Sequence, residues 1–211
     1  MKEYHKIETL FERDMDGNKK LIEGKFRNKS VEYLKDNKWI FTEKVDGTNI
    51  RICWDGHKIT FAGRTDNSDI PNPLKERLTE IFLNNETEEL FEQLFAEKEV
   101  IFFGEGYGGK IQNGILYNLT QDFILFDIMV EDKFLERENV ENIAKSFNLK
   151  VVPIVLIGTI IDGVIYVKNK PNSIISKEVK EMEGLVGRTE QEIYDKYGNR
   201  MIVKIKVCDF I

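Results

Sequence analysis

A lysine amine is a nucleophile only when its proton has been drawn off. Residues 41–52, FTEKVDGTNIRI, set Lys44 beside an Asp-Gly pair between alternating apolar residues. The plain reading of that stretch is a hairpin, because Asp-Gly between alternating residues is a strong local turn signal. The chain repeats the pattern in ICWDGHKITFAG. Other chemistry-bearing side chains fall at the ends of, or within, further strand-like runs. These are Arg64 in FAGRTD, Glu105 in FFGEG, Phe126 in ILFDI, Glu183 in EGLVGR, and Lys204 and Lys206 in IVKIKV. Residues two apart on a strand share a face, so Lys204 and Lys206 point the same way and the intervening apolar residues face a core.

This inventory suits attack by a lysine amine on the α-phosphate of a nucleoside triphosphate, with loss of pyrophosphate and formation of a lysyl–nucleoside-monophosphate intermediate. A free lysine titrates near ~10.4, which leaves roughly one amine in a thousand neutral at pH 7. Neighbouring cations such as Lys204 and Lys206, and a bound Mg²⁺, lower that value and neutralise the phosphates. Carboxylates such as Glu105 and Glu183 suit ribose hydroxyls or metal-bound water, and an aromatic such as Phe126 suits stacking on a base. Singly, each has a duller reading: a solvated glutamate, a core phenylalanine, lysines guarding a strand edge. Their joint occurrence in one order carries the weight.

Composition sets limits. The chain has 211 residues, enough for one sizeable core, with a net charge of −6 that argues against a protein that coats nucleic acid through a wide basic face. The two histidines, His5 and His57, have no plausible partner nearby in sequence, which disfavours histidine catalysis and histidine-rich metal sites. Cys53 and Cys208 match no metal or redox spacing and are expected to be buried free thiols in a reducing cytoplasm. No membrane span or signal-peptide core is read, so a cytoplasmic protein is expected.

The elements that must position these residues are legible from periodicity. SVEYLKDN predicts a short helix capped by Ser30. Strands are predicted around 39–45, 49–54 and 57–63, joined by the two Asp-Gly turns. Residues 73–97 carry leucine and phenylalanine at helical spacing, broken near Asn84-Asn85. EVIFFGEGYGG reads as a buried strand entering a glycine-rich loop, DFILFDIMV as a strand, ERENVENIAKSFN as a helix and KVVPIVLIG as a strand. DGVIYVKNK fits helix or strand, and strands follow at EGLVG and RMIVKIKVCDF. Clustered strands with inserted helices indicate an α+β fold in a single domain, without linker or repeat.

The ordered set EKVDGTN, GR, FFGEG, FILFDI, EGLV and KIK, from about Glu43 to Lys206, resembles the covalent nucleotidyltransferase superfamily of ATP-dependent ligases and mRNA-capping enzymes. Within it the chain is most similar to the RNA ligase 2 family, through EKVDGTN, the loop GEGYGGKIQNG and the closing GNRMIVKIKV. The resemblance implies two antiparallel β-sheets with flanking helices and the nucleotide between them. It implies adenylation of Lys44 by ATP with Mg²⁺ or Mn²⁺, transfer of AMP to an RNA 5′-phosphate and joining to a 3′-hydroxyl. Glu43 and Asn49 would help hold the nucleotide, Arg64 would contact ribose or phosphates, Glu105 the ribose and Phe126 the adenine. Glu183 would orient the lysine and, through water, the metal; Lys204 and Lys206 would contact the α-phosphate; Gln112 matches only by its place in the loop.

Two departures bear on the branch. Position 46 is aspartate, as in DNA ligases and capping enzymes, where the closest RNA ligases often have histidine. The sequence given also ends five residues after Lys206, so neither an OB domain nor another C-terminal domain is expected. The alternatives are a minimal DNA ligase acting on DNA or RNA/DNA hybrid nicks, and an inactive nucleic-acid-binding relative. A bare catalytic domain also leaves room for a helper protein or an oligomer.

Overall fold

Ile50, Ile52 and Trp54 alternate as a strand with one face against a core requires, whereas Val100–Phe103 is apolar at every position and buried on both faces. The computed structural model describes residues 2–17 and 19–210. In chain order it runs β1 Glu8–Thr9, β2 Phe11–Arg13, β3 Leu21–Phe26, α1 Lys29–Tyr33, β4 Trp39–Lys44, β5 Thr48–Trp54 and β6 Ile59–Ala62. Then come α2 Asn72–Phe82, α3 Asn85–Phe95, β7 Val100–Tyr107, β8 Asp122–Val130, β9 Lys133–Phe134 and α4 Arg137–Ser146. The last elements are β10 Ile154–Gly158, α5 Ile160–Lys168, β11 Gly184–Thr189 and β12 Ile202–Lys206.

The residues group into two compact units. The first takes in residues up to His5, Asp46–Val152 and Ser176–Glu178; the second takes in Lys6–Val45, Pro153–Ile175 and the chain from Val179 onward. The division after Val45 falls inside the EKVDGTN motif, one residue past Lys44, so no change of composition marks it.

In the first unit an antiparallel sheet runs β6-β5-β7-β8-β9. Ile50, Ile52, Trp54, Val100, Phe102, Leu125 and Ile128 pack against Leu74, Leu78, Phe82, Phe91, Phe95, Val140 and Ala144 of α2, α3 and α4. Each buried Val, Leu, Ile or Phe among them contributes about 1.5–3 kcal/mol before entropy is counted. The helical stretch breaks where predicted, and Asn84 caps α3 by accepting from the Thr87 amide. The second Asp-Gly does close the β5–β6 hairpin. Asp55 Oδ1 accepts from the amides of His57 and Lys58, and Gly56 has φ +94°.

The first Asp-Gly does not make a hairpin. β4 pairs with β10 and β11, whereas β5 pairs with β6 and β7. Gly47 meets a demand of space instead: a Cβ there would press on the Gly106 carbonyl and lie 2.8 Å from Glu105 Cγ.

In the second unit the sheet order is β1-β12-β11-β4-β10, antiparallel except for the β1–β12 pair, beside a small β2–β3 sheet. Trp39, Phe41, Leu185, Val203 and Ile205 pack on Ile160, Val164 and Val167 of α5. The segment that fitted helix or strand is this helix, fixed by a capping box between Thr159 and Asp162. Two expectations are corrected. Asn28, not Ser30, caps α1, because its side chain accepts from the amides of Ser30 and Val31. Cys53 is buried, its thiol pushed up to about 11 by burial and then by Glu99 and Asp55, but Cys208 is exposed in the 3₁₀ turn Val207–Phe210 that follows β12. Among the described residues no helix is long and apolar enough to cross a membrane.

Candidate active site

Register assembles the lysines. Lys44 on β4 lies opposite Gly184 on β11, and Gly184 lies opposite Lys206 on β12. Cross-strand partners share a face, so Lys44 and Lys206 flank a residue with no side chain. Glu183 reaches into that gap: its Oε2 is 2.6 Å from Lys44 Nζ and its Oε1 is 2.7 Å from Lys206 Nζ. Burial pulls the Lys206 ammonium toward a lower pKa, but the hydrogen bond and charge of Glu183 outweigh it and hold Lys206 above the ordinary lysine value. One residue pair along the same face, Lys204 sits between Val186 and Thr9. Its pKa is lowered by burial first, then by Lys206 and Lys44. Among the described residues Lys204 has no ion-pair partner, so a third cation stands beside the bridged pair, an arrangement suited to a polyphosphate.

The structure does not bring Glu43 to this face. It shares its cross-strand row with Leu185, which belongs to the core side of the sheet, and it is 1% exposed. Its carboxylate accepts from the Ser173 hydroxyl and, at 2.9 Å, from the Ile174 amide. Burial raises its pKa, and these hydrogen bonds only partly offset that. Alternation along β4 is the physical reason: the residue before an outward-facing lysine must face inward.

In the first unit the face away from the helices collects the other expected groups. Asn49 on β5 lies directly opposite Glu105 on β7, which is inside its strand rather than at its end. A bulge in β8, where Phe103 pairs with Asp127 and Gly104 with Leu125, leaves Phe126 as the extra residue. Leu125 and Ile128 then stay in the helix-side core, while Phe126 packs with Cys53, Ile101, Phe103 and Met129. Bulges re-aim side chains in this way, and they recur beside functional sites. Tyr4 meets the Phe126 ring edge-on at 5.0 Å and donates its hydroxyl to Asp127 Oδ2 at 2.8 Å. Arg64 is exposed on the 63–68 loop and Gln112 is exposed in the loop after β7, with φ +48°. Three contributors carry no sequence signal of their own: Tyr4; Ser173, which holds Glu43; and Tyr117, whose hydroxyl accepts from the Asp46 amide at 3.2 Å.

These sheets, with a lysine–glutamate–lysine bridge on one of them, define a nucleotidyltransferase fold. The sequence profile of the RNA ligase family matches residues 37–206, and the chain belongs to that family. A Naegleria gruberi RNA ligase variant solved with AMP and Mn has a TM-score of 0.63 and 20% identity, covering 94% of this chain and 55% of that one. The same organism's ligase solved with PPi gives 0.62 and 22%, with 94% and 55% coverage. A variant solved with ATP and Mn gives 0.61 and 20%, covering 83% and 52%. These are likenesses of fold, and the chain spans about half the length of the ligases it matches. A comparison with curated proteins finds no match.

Proposed function

We propose that the protein is an ATP-dependent RNA ligase and that residues 1–211 act together as one adenylation domain. The observation that carries this reading is the Lys44–Glu183–Lys206 bridge, within a chain that belongs to the RNA ligase family. In the first step the Lys44 amine, its proton released, forms an N–P bond to the α-phosphate of ATP. The bond from that phosphorus to the β-phosphate oxygen breaks and pyrophosphate leaves. An RNA 5′-phosphate oxygen then attacks the same phosphorus, the N–P bond breaks and Lys44 regains a proton. Finally a 3′-hydroxyl attacks the 5′-phosphorus and AMP departs.

Glu183 orients Lys44 before reaction, while Lys204 and Lys206 receive the α-phosphate. Asn49 and Glu105 suit the ribose, Phe126 the adenine and Arg64 the phosphates. The match to ligases solved with ATP and Mn, or with AMP and Mn, supports ATP and a divalent cation as cofactors. Among the described residues no group of three or more His, Cys, Asp or Glu could hold a metal by itself. A hard cation held partly by substrate phosphates needs only one or two carboxylates, and Glu183 stands among the lysines to supply one. Such an ion would neutralise phosphate charge.

The test is mass spectrometry after incubation with ATP and Mg²⁺ or Mn²⁺. One AMP should be added through an acid-labile, alkali-stable bond, and Lys44→Ala should abolish it. Offered nicked RNA, nicked DNA and hybrid nicks, the enzyme should join RNA ends; sealing of all-DNA nicks alone would replace this substrate reading with a DNA ligase.

A further inference from the structure

We propose that Arg51 and Asp66 form a clamp that fixes the 63–68 loop and so presents Arg64, as a positioning device, to a substrate phosphate. The proposal rests on the reading of Arg64 given above.

Arg51 lies on β5, two residues from Asn49, and is 0% exposed. Burying a guanidinium is costly unless its donors are met, so its partners report what the burial serves. Nε donates to the Gly63 carbonyl at 2.8 Å and Nη2 to Asp66 Oδ1 at 2.8 Å, while Nη1 donates to the Lys2 carbonyl at 3.2 Å. Two of these three bonds therefore bracket Arg64 from either side. The loop also closes on itself: the Thr65 amide donates to Ser68 Oγ at 3.1 Å, the two hydroxyls are 2.8 Å apart, and the Ser68 amide returns to the Thr65 carbonyl at 3.1 Å.

Arg64 itself is exposed and, among the described residues, has no ion-pair partner. A free guanidinium on a braced loop is what recognition of a phosphate needs. Less freedom is lost on binding, and the planar fork keeps its direction. Groups on loops are less precisely held than groups on strands, and the clamp ties this loop to a central strand of the sheet.

The sign of the charge separates this role from simple electrostatics. The Asp66 side chain is 61% exposed and anionic, and the hydrogen bond from Arg51 holds its carboxyl below the ordinary value. A negative charge two residues from a phosphate-binding arginine would by itself weaken anion binding. Removing it should then help, unless its geometric role dominates.

The experiment measures self-adenylation against ATP concentration, and joining of 5′-phosphorylated RNA, for Arg64→Ala, Asp66→Ala, Asp66→Asn and the Arg64→Ala/Asp66→Ala double variant. Asp66→Ala should slow whichever step Arg64→Ala slows, by roughly 10- to 100-fold, as misplacement of a positioned group does. Its thermal midpoint should fall, because the buried Arg51 Nη2 loses its acceptor, so rates are compared well below the variant's midpoint. Asp66→Asn removes the charge but keeps the acceptor for Arg51, so it should recover most of the rate. The double variant should equal Arg64→Ala alone, since a residue acting through another adds nothing once that one is gone. Wild-type or faster rates in Asp66→Ala, or multiplying effects in the double variant, would overturn the clamp. A wild-type Arg64→Ala would instead overturn the reading of Arg64, and the clamp with it.

Discussion

Glu43 and Lys44 are neighbours in sequence and lie on opposite faces of β4. Lys44 meets Glu183 among the lysines, while Glu43 is buried against Ser173 and Ile174. Glu43 therefore does not reach the lysine face, and its loss should be felt first in stability. Glu43→Ala removes the carboxylate that accepts from the Ser173 hydroxyl and the Ile174 amide, two part-buried bonds, at a cost of about 0.5–1.5 kcal/mol each. Burial raises the Glu43 pKa, so the folded state binds the proton more tightly than the unfolded state. This contribution to stability is present below the ordinary value of 4.5 and is lost as pH rises through the raised value. Denaturant unfolding between pH 4 and pH 8 should show wild type losing stability relative to Glu43→Gln as pH increases.

Among the described residues Glu183 is the carboxylate that bridges Lys44 and Lys206. Glu183→Gln leaves three cations around the phosphate site, so affinity for ATP should not fall. The orientation of Lys44 is lost, however, and the rate of lysyl-AMP formation should drop by about 10²-fold. Single-turnover adenylation over an ATP series checks this; a raised KM with an unchanged maximal rate would mean that Glu183 binds nucleotide rather than orients the nucleophile.

Lys204 is half-buried and, among the described residues, without an ion-pair partner, and burial, Lys206 and Lys44 together lower its pKa. The folded state thus releases this proton before the unfolded state does. Between the lowered value and the ordinary 10.5 the unfolded chain binds more protons, so stability rises with pH across that window. Lys204→Met should make the nucleotide-free protein more stable at neutral pH, with an advantage that shrinks toward pH 10. The same change should slow adenylation by about 10²–10³-fold, because it removes a donor aimed at the phosphate. Thermal midpoints over a pH series and adenylation rates on one preparation test both halves.

Much of this was legible in the sequence where a side chain's own periodicity decides its direction. Alternation in IVKIKV placed Lys204 and Lys206 on one face, and the helical spacing of residues 73–97 with its Asn-Asn break gave α2 and α3. What stayed hidden depends on partners distant in sequence. The first Asp-Gly reads as a hairpin because turn chemistry is local, whereas the pairing of β4 with β11 is set by residues about 140 positions away. Resemblance placed Glu43 beside the nucleotide, and strand alternation turned it inward. The bulge at Phe126 and the approach of Tyr4 from the N-terminus have no local signature either.

Gly184 is the least conspicuous member of the site and tests the bridge most directly. It stands between Lys44 and Lys206 in register, has φ +155°, and an added Cβ would press into the Ile205 carbonyl and lie 2.8 Å from Lys206 Cα. Both atoms are backbone, so no side chain can swing aside; β11 and β12 would have to part. Gly184→Ala should cost about 1–3 kcal/mol from the strained backbone, with more from the clash. Because the movement falls at the row that carries Lys206, adenylation should fall further than the unfolded fraction explains. Measuring the lysyl-AMP rate well below the variant's midpoint separates the two effects. A variant of unchanged stability and rate would mean that the two strands have room the register does not show, and that the gap between the lysines is not what lets Glu183 join them.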